Sequence, residues 1–335
     1  MKKKVLIIYT GGTIGMMQEH KSKILVPVNF KSISDQIPEL KELNCKIDFH
    51  SSHKPIDSSN VEPGVWEELA TIIERKYNVY DGFVILHGTD TMAYTASALS
   101  YMLKNLSKPV ILTGSQLPLG VIRTDAKRNL ITTIEIIAAQ PVVPEVCIYF
   151  NSKLFRGNRA EKFTSSKFDA FHSLNYPVLA EAGVHIVYNN KAIKKNPPGK
   201  FHVDRGFDNR VFIIKLFPGI KPAVISSIAK IKGLGGIILE TFGSGNAPTE
   251  KKFLAVIDET IKNGIILVNI SQCSGGAVDQ GKYETSVQLK KLGVVSGGDM
   301  TTEAAVTKLM FLLDKKFSNK KTRELFSKNI CGEKT

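Results

Sequence analysis

The sequence has 335 residues, with 45 Lys and Arg against 31 Asp and Glu, a formal charge of +14, and 43% hydrophobic residues. That length is enough for two domains, and the interleaving of apolar and polar stretches is that of a globular chain and excludes a disordered one. No apolar run reaches the roughly 18 residues of a membrane-spanning helix. Met1-Lys2-Lys3-Lys4 is followed by only five apolar or aromatic residues before Thr10, too few for a secretory leader. The expected location is cytoplasmic, with no membrane partner. The lysines gather at Lys191–Lys200 and Lys315–Lys321, away from any helix with interleaved aromatics. The charge therefore reads as solubility, with no nucleic-acid partner. Cys45, Cys147, Cys273 and Cys331 lie far apart, with no CxxC and no His/Cys cluster. Free thiols and no metal are expected.

In chain order, short β-rich runs at Val5–Tyr9, Phe83–Leu86, Val110–Leu112 and Val146–Phe150 each precede a polar, glycine-rich turn. Continuous apolar runs of this length fit strands of a parallel sheet buried on both faces. Between them lie helical patterns: Trp66, Leu69, Ile73 and Tyr77 share one face, as do Ala96, Leu99, Leu103 and Leu106. Asp125 is placed as the N-cap of a helix through Ile137. Near residue 190 hydrophobicity drops and Pro197-Pro198-Gly199 follows, which reads as a linker over 191–210. Beyond it, strands are expected at Val211–Leu216, Gly236–Leu239 and Ile265–Ile270, and helices at Glu250–Lys262, Thr302–Leu313 and Thr322–Lys328. The predicted fold is α/β: a larger N-terminal doubly wound, mostly parallel sheet domain over 1–190 and a smaller C-terminal α/β domain over 211–335.

Ligands of open parallel sheets bind beyond the carboxyl ends of the strands. That points to Thr10-Gly11-Gly12-Thr13-Ile14-Gly15, His87-Gly88-Thr89-Asp90-Thr91 and Thr113-Gly114-Ser115-Gln116. The first loop lacks the glycine spacing of a dinucleotide fingerprint, and no GxxxxGK[ST] occurs, which disfavours a nucleotide-binding oxidoreductase. Its glycines permit a tight turn that exposes the Thr13 hydroxyl, although a threonine capping a helix explains the same residues. Asp90 suits a substrate ammonium group or, equally, a helix N-cap. A hydroxyl nucleophile needs a base. His87, alone at a strand end, reads as a packed or solvated residue. Lys162, after the fourth strand, serves only if its amine becomes neutral, and it is one lysine among many.

The two loops Thr10–Gly15 and His87–Thr91, in order and each after a buried strand, resemble the TGGTI and HGTDT signatures of the L-asparaginase family. The resemblance extends to Ile56-Asp57-Ser58-Ser59, Gly114-Ser115-Gln116, Arg156-Gly157-Asn158-Arg159 and Gly243-Ser244-Gly245-Asn246-Ala247-Pro248, and is nearest the bacterial cytoplasmic type I branch. It implies hydrolysis of the side-chain amide of L-asparagine. In that scheme Thr13 attacks and forms a β-aspartyl ester, while Thr89, Asp90 and Lys162 form a second, triad-like group. Asp57, Ser58 and Ser59, with Thr89 and Asp90, bind the substrate, and glycine-loop N–H groups stabilise the oxyanion. No cofactor or metal is implied. Self-association as a homodimer or homotetramer is, with Asn246 reaching a neighbouring site. Which threonine attacks first stays open.

Three positions depart from that pattern. Met16 to Phe30 contains no tyrosine where the family usually carries one on a mobile loop, and Leu25 stands near that position, so either Tyr9 or another hydroxyl substitutes or Thr13 is activated more weakly than usual. The loop Met17–Lys23 is polar enough to act as a lid. At the second, allosteric site of some type I enzymes, Glu240 replaces an expected arginine and Glu161 a small hydroxyl residue, while Ser271 and Cys273 are retained. Allosteric activation is expected to be weak or absent. Competing readings are a glutaminase-asparaginase, the amidase-type subunit of a tRNA-dependent amidotransferase (usually with an extra N-terminal domain, which this sequence does not contain) and a non-catalytic amino-acid-binding protein.

Overall fold

Runs of β-branched and aliphatic residues without polar alternation cannot leave either face in water, and they form the centre of the main sheet. In the computed structural model, which describes residues 2–18, 25–27, 37–281 and 284–335, the chain divides into two units, Met1–Asp204 and Arg205–Thr335.

The first unit is built on eight strands: β1 (Lys3–Gly11), β2 (Cys45–Ile56), β3 (Gly82–Leu86), β4 (Val110–Thr113), β5 (Val146–Phe150), β6 (Lys153–Arg156), β7 (Ala180–Ala182) and β8 (Ile186–Tyr188). Their spatial order is β8-β7-β6-β5-β4-β3-β1-β2. The β2-β1-β3-β4-β5 portion is parallel, and β6, β7 and β8 extend it antiparallel. The doubly wound, mostly parallel sheet expected from the sequence is present. Because β1 lies between β2 and β3, the strand order reverses there, and the crevice beyond the carboxyl ends of β1 and β3 is the topological switch point. Val5 to Thr10 and all of β3 are buried.

Three helices pack on this sheet: α1 (Pro63–Lys76), α2 (Met92–Met102) and α3 (Ala126–Ala138). α1 starts with proline, buries Trp66, Leu69, Ala70 and Ile73, and carries Arg75 and Lys76 in its last turn, where the helix dipole favours cations. The sequence pattern through Leu106 overruns α2. Asn105 takes a left-handed φ of 53°, and Leu103–Lys104 pairs instead with His202–Val203. Polar loop residues from 191 onward are thus tied back to the first unit.

An antiparallel turn at β5–β6 sets up the approach to Lys162. Arg156 donates to Glu145 from Nε at 2.5 Å, with both side chains almost fully buried, and its guanidinium also meets the carbonyl of Ala192 and the face of Tyr176. Losing one partner of such a pair strands a buried charge, at a cost of about 3–5 kcal/mol. Arg159 donates to the Asn175 carbonyl at 2.6 Å. These two arginines bracket the short 3-10 turn Gly157–Arg159 that delivers the chain to Lys162.

The second unit has a parallel sheet of β9 (Val211–Lys215), β10 (Gly236–Thr241), β11 (Ile266–Ser271) and β12 (Val295–Ser296), in that order. Its helices are α4 (Pro222–Ala229), α5 (Lys251–Lys262), α6 (Glu284–Leu292), α7 (Thr302–Asp314) and α8 (Asn319–Ser327). α8 begins three residues before the predicted start, capped by the Ser318 hydroxyl, which accepts from Lys321 N. Lys308 is wholly buried: it reaches from α7 to the carbonyls of Phe326 and Lys328 at the end of α8 and pairs with buried Glu333. Among the described residues no helix is long and apolar enough to cross a membrane, and all four cysteines are free.

Candidate active site

Three loops meet at the switch point, and they do so backbone against backbone. Gly12, at a φ of +86°, lies so close to β3's exit that a Cβ on it would stand 2.4 Å from Gly88 N. A Cβ on Gly88 would stand 2.5 Å from the Ser58 hydroxyl, and one on Gly11 would collide with the Ile56 carbonyl. No side chain fits at any of these three positions, so the loops carrying Thr13, Ser58 and Thr89 are held together by glycine. Hydroxyls add fastenings: Thr10 donates to the Leu86 carbonyl at 2.9 Å and Thr91 to the Ser58 carbonyl at 2.7 Å.

Thr13 opens a 3-10 turn, Thr13–Gly15, closed by Gly15 N to the Gly12 carbonyl. Its side chain is partly exposed. Beneath the turn, Tyr9 donates its phenolic hydrogen to the Gly15 carbonyl at 3.1 Å, and burial pushes its ionisation up to about 12. Tyr9 is therefore an un-ionised brace for the turn, its hydrogen already committed. The lid segment Met17–Lys23 lies mostly outside the described residues. A short antiparallel pair, Met16–Gln18 with Leu25–Pro27, is described, and in it Leu25 faces Gln18.

Asp57 N-caps the 3-10 turn Ser58–Asn60. Its Oδ1 accepts from Ser59 N at 2.9 Å and Ser59 Oγ at 2.8 Å, and these bonds, the backbone one first, hold its pKa below the usual carboxylate range. It is a fixed anion at neutral pH.

Across the crevice, Lys162 Nζ donates to Thr89 Oγ1 at 2.7 Å and to Asp90 Oδ1 at 2.6 Å. The lysine side chain is 16% exposed while that of Asp90 is 65% exposed. One end of this chain is thus sheltered and the other open to an incoming cation. Lys162 sits on a two-residue strand, Glu161–Lys162, paired with Phe171–His172. One amine touching a hydroxyl and a carboxylate is the donor set for moving a proton to and from that hydroxyl.

A family model described as asparaginase, N-terminal, matches residues 4–194, and one described as glutaminase/asparaginase C-terminal domain matches residues 210–326. Over 336 residues the chain is 41% identical to L-asparaginase 1 of Escherichia coli strain K12, covering 100% of this chain and 98% of that one. The chain belongs to the asparaginase family. Its fold is similar to that of L-asparaginase I from Vibrio cholerae, with a TM-score of 0.91, 39% identity and full coverage of both chains. It is also similar to the thermostable L-asparaginase from Thermococcus kodakarensis, with a TM-score of 0.92, 34% identity and 99% of each chain covered.

Within the asparaginase frame, His87 has a defined place. It is fully buried, with Nδ1 2.7 Å from the Gly88 carbonyl and Nε2 2.9 Å from Thr95 Oγ1, which in turn accepts from Trp66 Nε1 at 3.1 Å. A carbonyl only accepts, so Nδ1 carries the hydrogen and the Thr95 hydroxyl donates to Nε2. Drawing the Gly88 carbonyl inward turns the N–H of Thr89 the opposite way in the planar peptide. Burial pushes the imidazole down to about 4, and the Gly88 bond only partly opposes this. The unfolded chain takes up a proton near pH 6.5 that the folded chain refuses until about pH 4, so stability is lost as pH falls across that window, by up to about 3 kcal/mol. Urea unfolding midpoints from pH 7 to pH 4 are expected to slope less in His87→Gln than in the parent; equal slopes would rule this out.

The sequence pattern at Asp125 predicts a helix cap. The residue stands at the N-cap position of α3 but makes no cap bond. Its carboxylate turns back to accept from Gln116 N at 3.0 Å, Leu117 N at 3.1 Å and Asn129 Nδ2 at 3.2 Å. The carboxylate thus serves the two N–H groups of the loop after β4 and none of the first turn of the helix. In the second unit, Glu240 is the next-to-last residue of β10 and accepts from the Thr302 hydroxyl at 2.7 Å at the start of α7, with Lys215 Nζ 3.9 Å away. Ser271 donates to the Gly243 carbonyl and accepts from Cys273 N, and Cys273 is exposed. Asn246 bridges back to Phe242 in the turn after β10. Glu240, Asn246, Ser271 and Cys273 thus share the carboxyl end of the second sheet.

Proposed function

We propose that this asparaginase-family chain hydrolyses the side-chain amide of L-asparagine to L-aspartate and ammonia. The observation that carries the reading is the Lys162 amine in contact with both Thr89 and Asp90, beside a glycine-built turn that presents Thr13. Thr13 Oγ attacks the amide carbon and its proton passes through Thr89 to the Lys162 amine. The oxyanion is met by backbone N–H groups of the glycine loops, among them that of Thr89. The carbon–nitrogen bond breaks, the nitrogen takes a proton and leaves as ammonia, and a β-aspartyl ester remains on Thr13. Water then adds to the ester, its proton taken by the same lysine, and aspartate leaves as Thr13 regains its hydrogen. Asp90 and Asp57, both anionic, hold the substrate ammonium, and Ser58 and Ser59 grip the carboxylate. We place the enzyme in the cytoplasm as a homo-oligomer; four free cysteines suit a reducing compartment.

Glutaminase activity is the second reading, because one extra methylene usually changes discrimination by only about 1–3 kcal/mol. Ammonia release from asparagine and glutamine at matched, varied concentrations tests both. Asparagine is expected to be preferred, with a hyperbolic rate curve. The carboxylate of Glu240, tied to Thr302 at the end of β10, repels the carboxylate of an effector amino acid. No ammonia from either amide defeats the proposal, and a sigmoidal asparagine curve that turns hyperbolic on replacing Cys273 defeats the part concerning Glu240.

A further inference from the structure

We propose that Gln116 is a positioning residue for the Thr89–Lys162 pair, an inference that rests on the function proposed above. Its side-chain amide has a fixed sense. Nε2 lies 2.9 Å from the Lys167 carbonyl and 3.1 Å from the Ser165 carbonyl, two groups that only accept, so the nitrogen must face them and Oε1 faces the other way. On that other side stands Thr89, whose Oγ1 donates to Oε1 at 3.4 Å.

Two consequences follow from this geometry. Lys162 sits on one arm of a hairpin whose tip carries Ser165 and Lys167, and those tip residues are exposed. Gln116 is the fastening between that tip and the sheet. Its own main chain is anchored from behind by buried Asp125, which accepts from Gln116 N. The line Asp125–Gln116–hairpin tip therefore sets where Nζ comes to rest. Second, while Lys162 is an ammonium it donates to Thr89, and the threonine's own hydrogen has to point elsewhere. Oε1 receives it, which keeps a lone pair of Thr89 directed at Nζ, along the line the proton later follows.

The test uses the full-length protein with Gln116→Met, which removes all three bonds without adding charge, and Gln116→Glu, which removes the donors and adds a charge. Gln116 Oε1 and Lys162 Nζ meet the one Thr89 oxygen at 3.4 and 2.7 Å, so a charge in the place of Oε1 would stand no more than about 6 Å from Nζ. Gln116→Met is expected to lower kcat for asparagine about tenfold or more with KM changed less than about threefold, measured per folded molecule. Gln116→Glu is expected to add an upward displacement of the acid limb of kcat by about one pH unit. An unchanged kcat in Gln116→Met, or losses that merely follow the folded fraction, would overturn the proposal, as would an acid limb that stays put in Gln116→Glu. The titration of Lys162, followed by NMR in lysine-labelled protein, needs no turnover and is expected to move to higher pH in Gln116→Glu. If it does so in a protein inert toward asparagine, the substrate reading falls and the positioning role stands; if it does not move, the positioning role falls.

Discussion

Thr13→Ala is expected to lower kcat for asparagine by roughly four orders of magnitude or more, the scale on which removing a nucleophile acts. The turn itself should survive. It is closed by Gly15 N to the Gly12 carbonyl and braced by Tyr9 on Gly15, and neither bond uses the Thr13 side chain. Binding should persist as well, because Asp57, Ser58 and Ser59 stand on a different loop. The loss therefore belongs in kcat, with substrate still protecting the protein against unfolding. Acid quenching during turnover, followed by peptide mass spectrometry, should find an aspartyl adduct on the peptide carrying Thr13 in the parent and none in Thr13→Ala. Turnover at the parent rate, or the adduct on Thr89, would remove Thr13 from the role of nucleophile.

The second large effect is at Lys162. Lys162→Met should lower kcat by about 10²- to 10⁴-fold, the usual contribution of a positioned base. The sharper variant is Lys162→Arg. A guanidinium preserves the positive charge beside Asp90, so the electrostatic setting of the pair is largely kept, but it does not give up its proton at any working pH. If the amine acts as a base, arginine fails nearly as badly as methionine. If it serves only as a counter-ion for Asp90, arginine restores activity. Rates for the two variants, side by side at saturating asparagine, decide between these, and near-parent activity in Lys162→Arg would end the base assignment.

Much of the fold could be read from residue order because its central strands are buried on both faces, and continuous apolar runs such as Val5–Tyr9 and Phe83–Leu86 have few other uses. The two loops bearing Thr13 and Thr89 were legible for a related reason: tight glycine turns after buried strands leave a distinctive wording. What escaped was set by contacts distant in sequence. β2 alternates polar and apolar residues and was not marked as a strand, yet it is what brings Asp57 beside Gly11. The pairing of Leu103–Lys104 with His202–Val203, which ends α2 early, joins segments roughly a hundred residues apart. From sequence Asp125 and Gln116 read as a cap and a loop residue, because cap and turn are the local choices. Their mutual bond exists only once α3 has docked under the loop after β4. Lys162 looked like one lysine among many, since nothing near it in the chain distinguishes it. Its neighbours Thr89 and Asp90 arrive through the sheet.

The reversal of strand order between β1 and β3 also bears on how the protein acquires its activity. Thr13 and Thr89 are far apart along the chain, and the helix α1 and strand β2 lie between them. Closing that distance carries a loop entropy that only completed strand pairing can offset, so such contacts come late compared with local helix formation. Recovery of amide hydrolysis after dilution from denaturant should therefore lag behind the return of helical signal, and the appearance of ammonia would serve as a clock for the zipping of β1 onto β3.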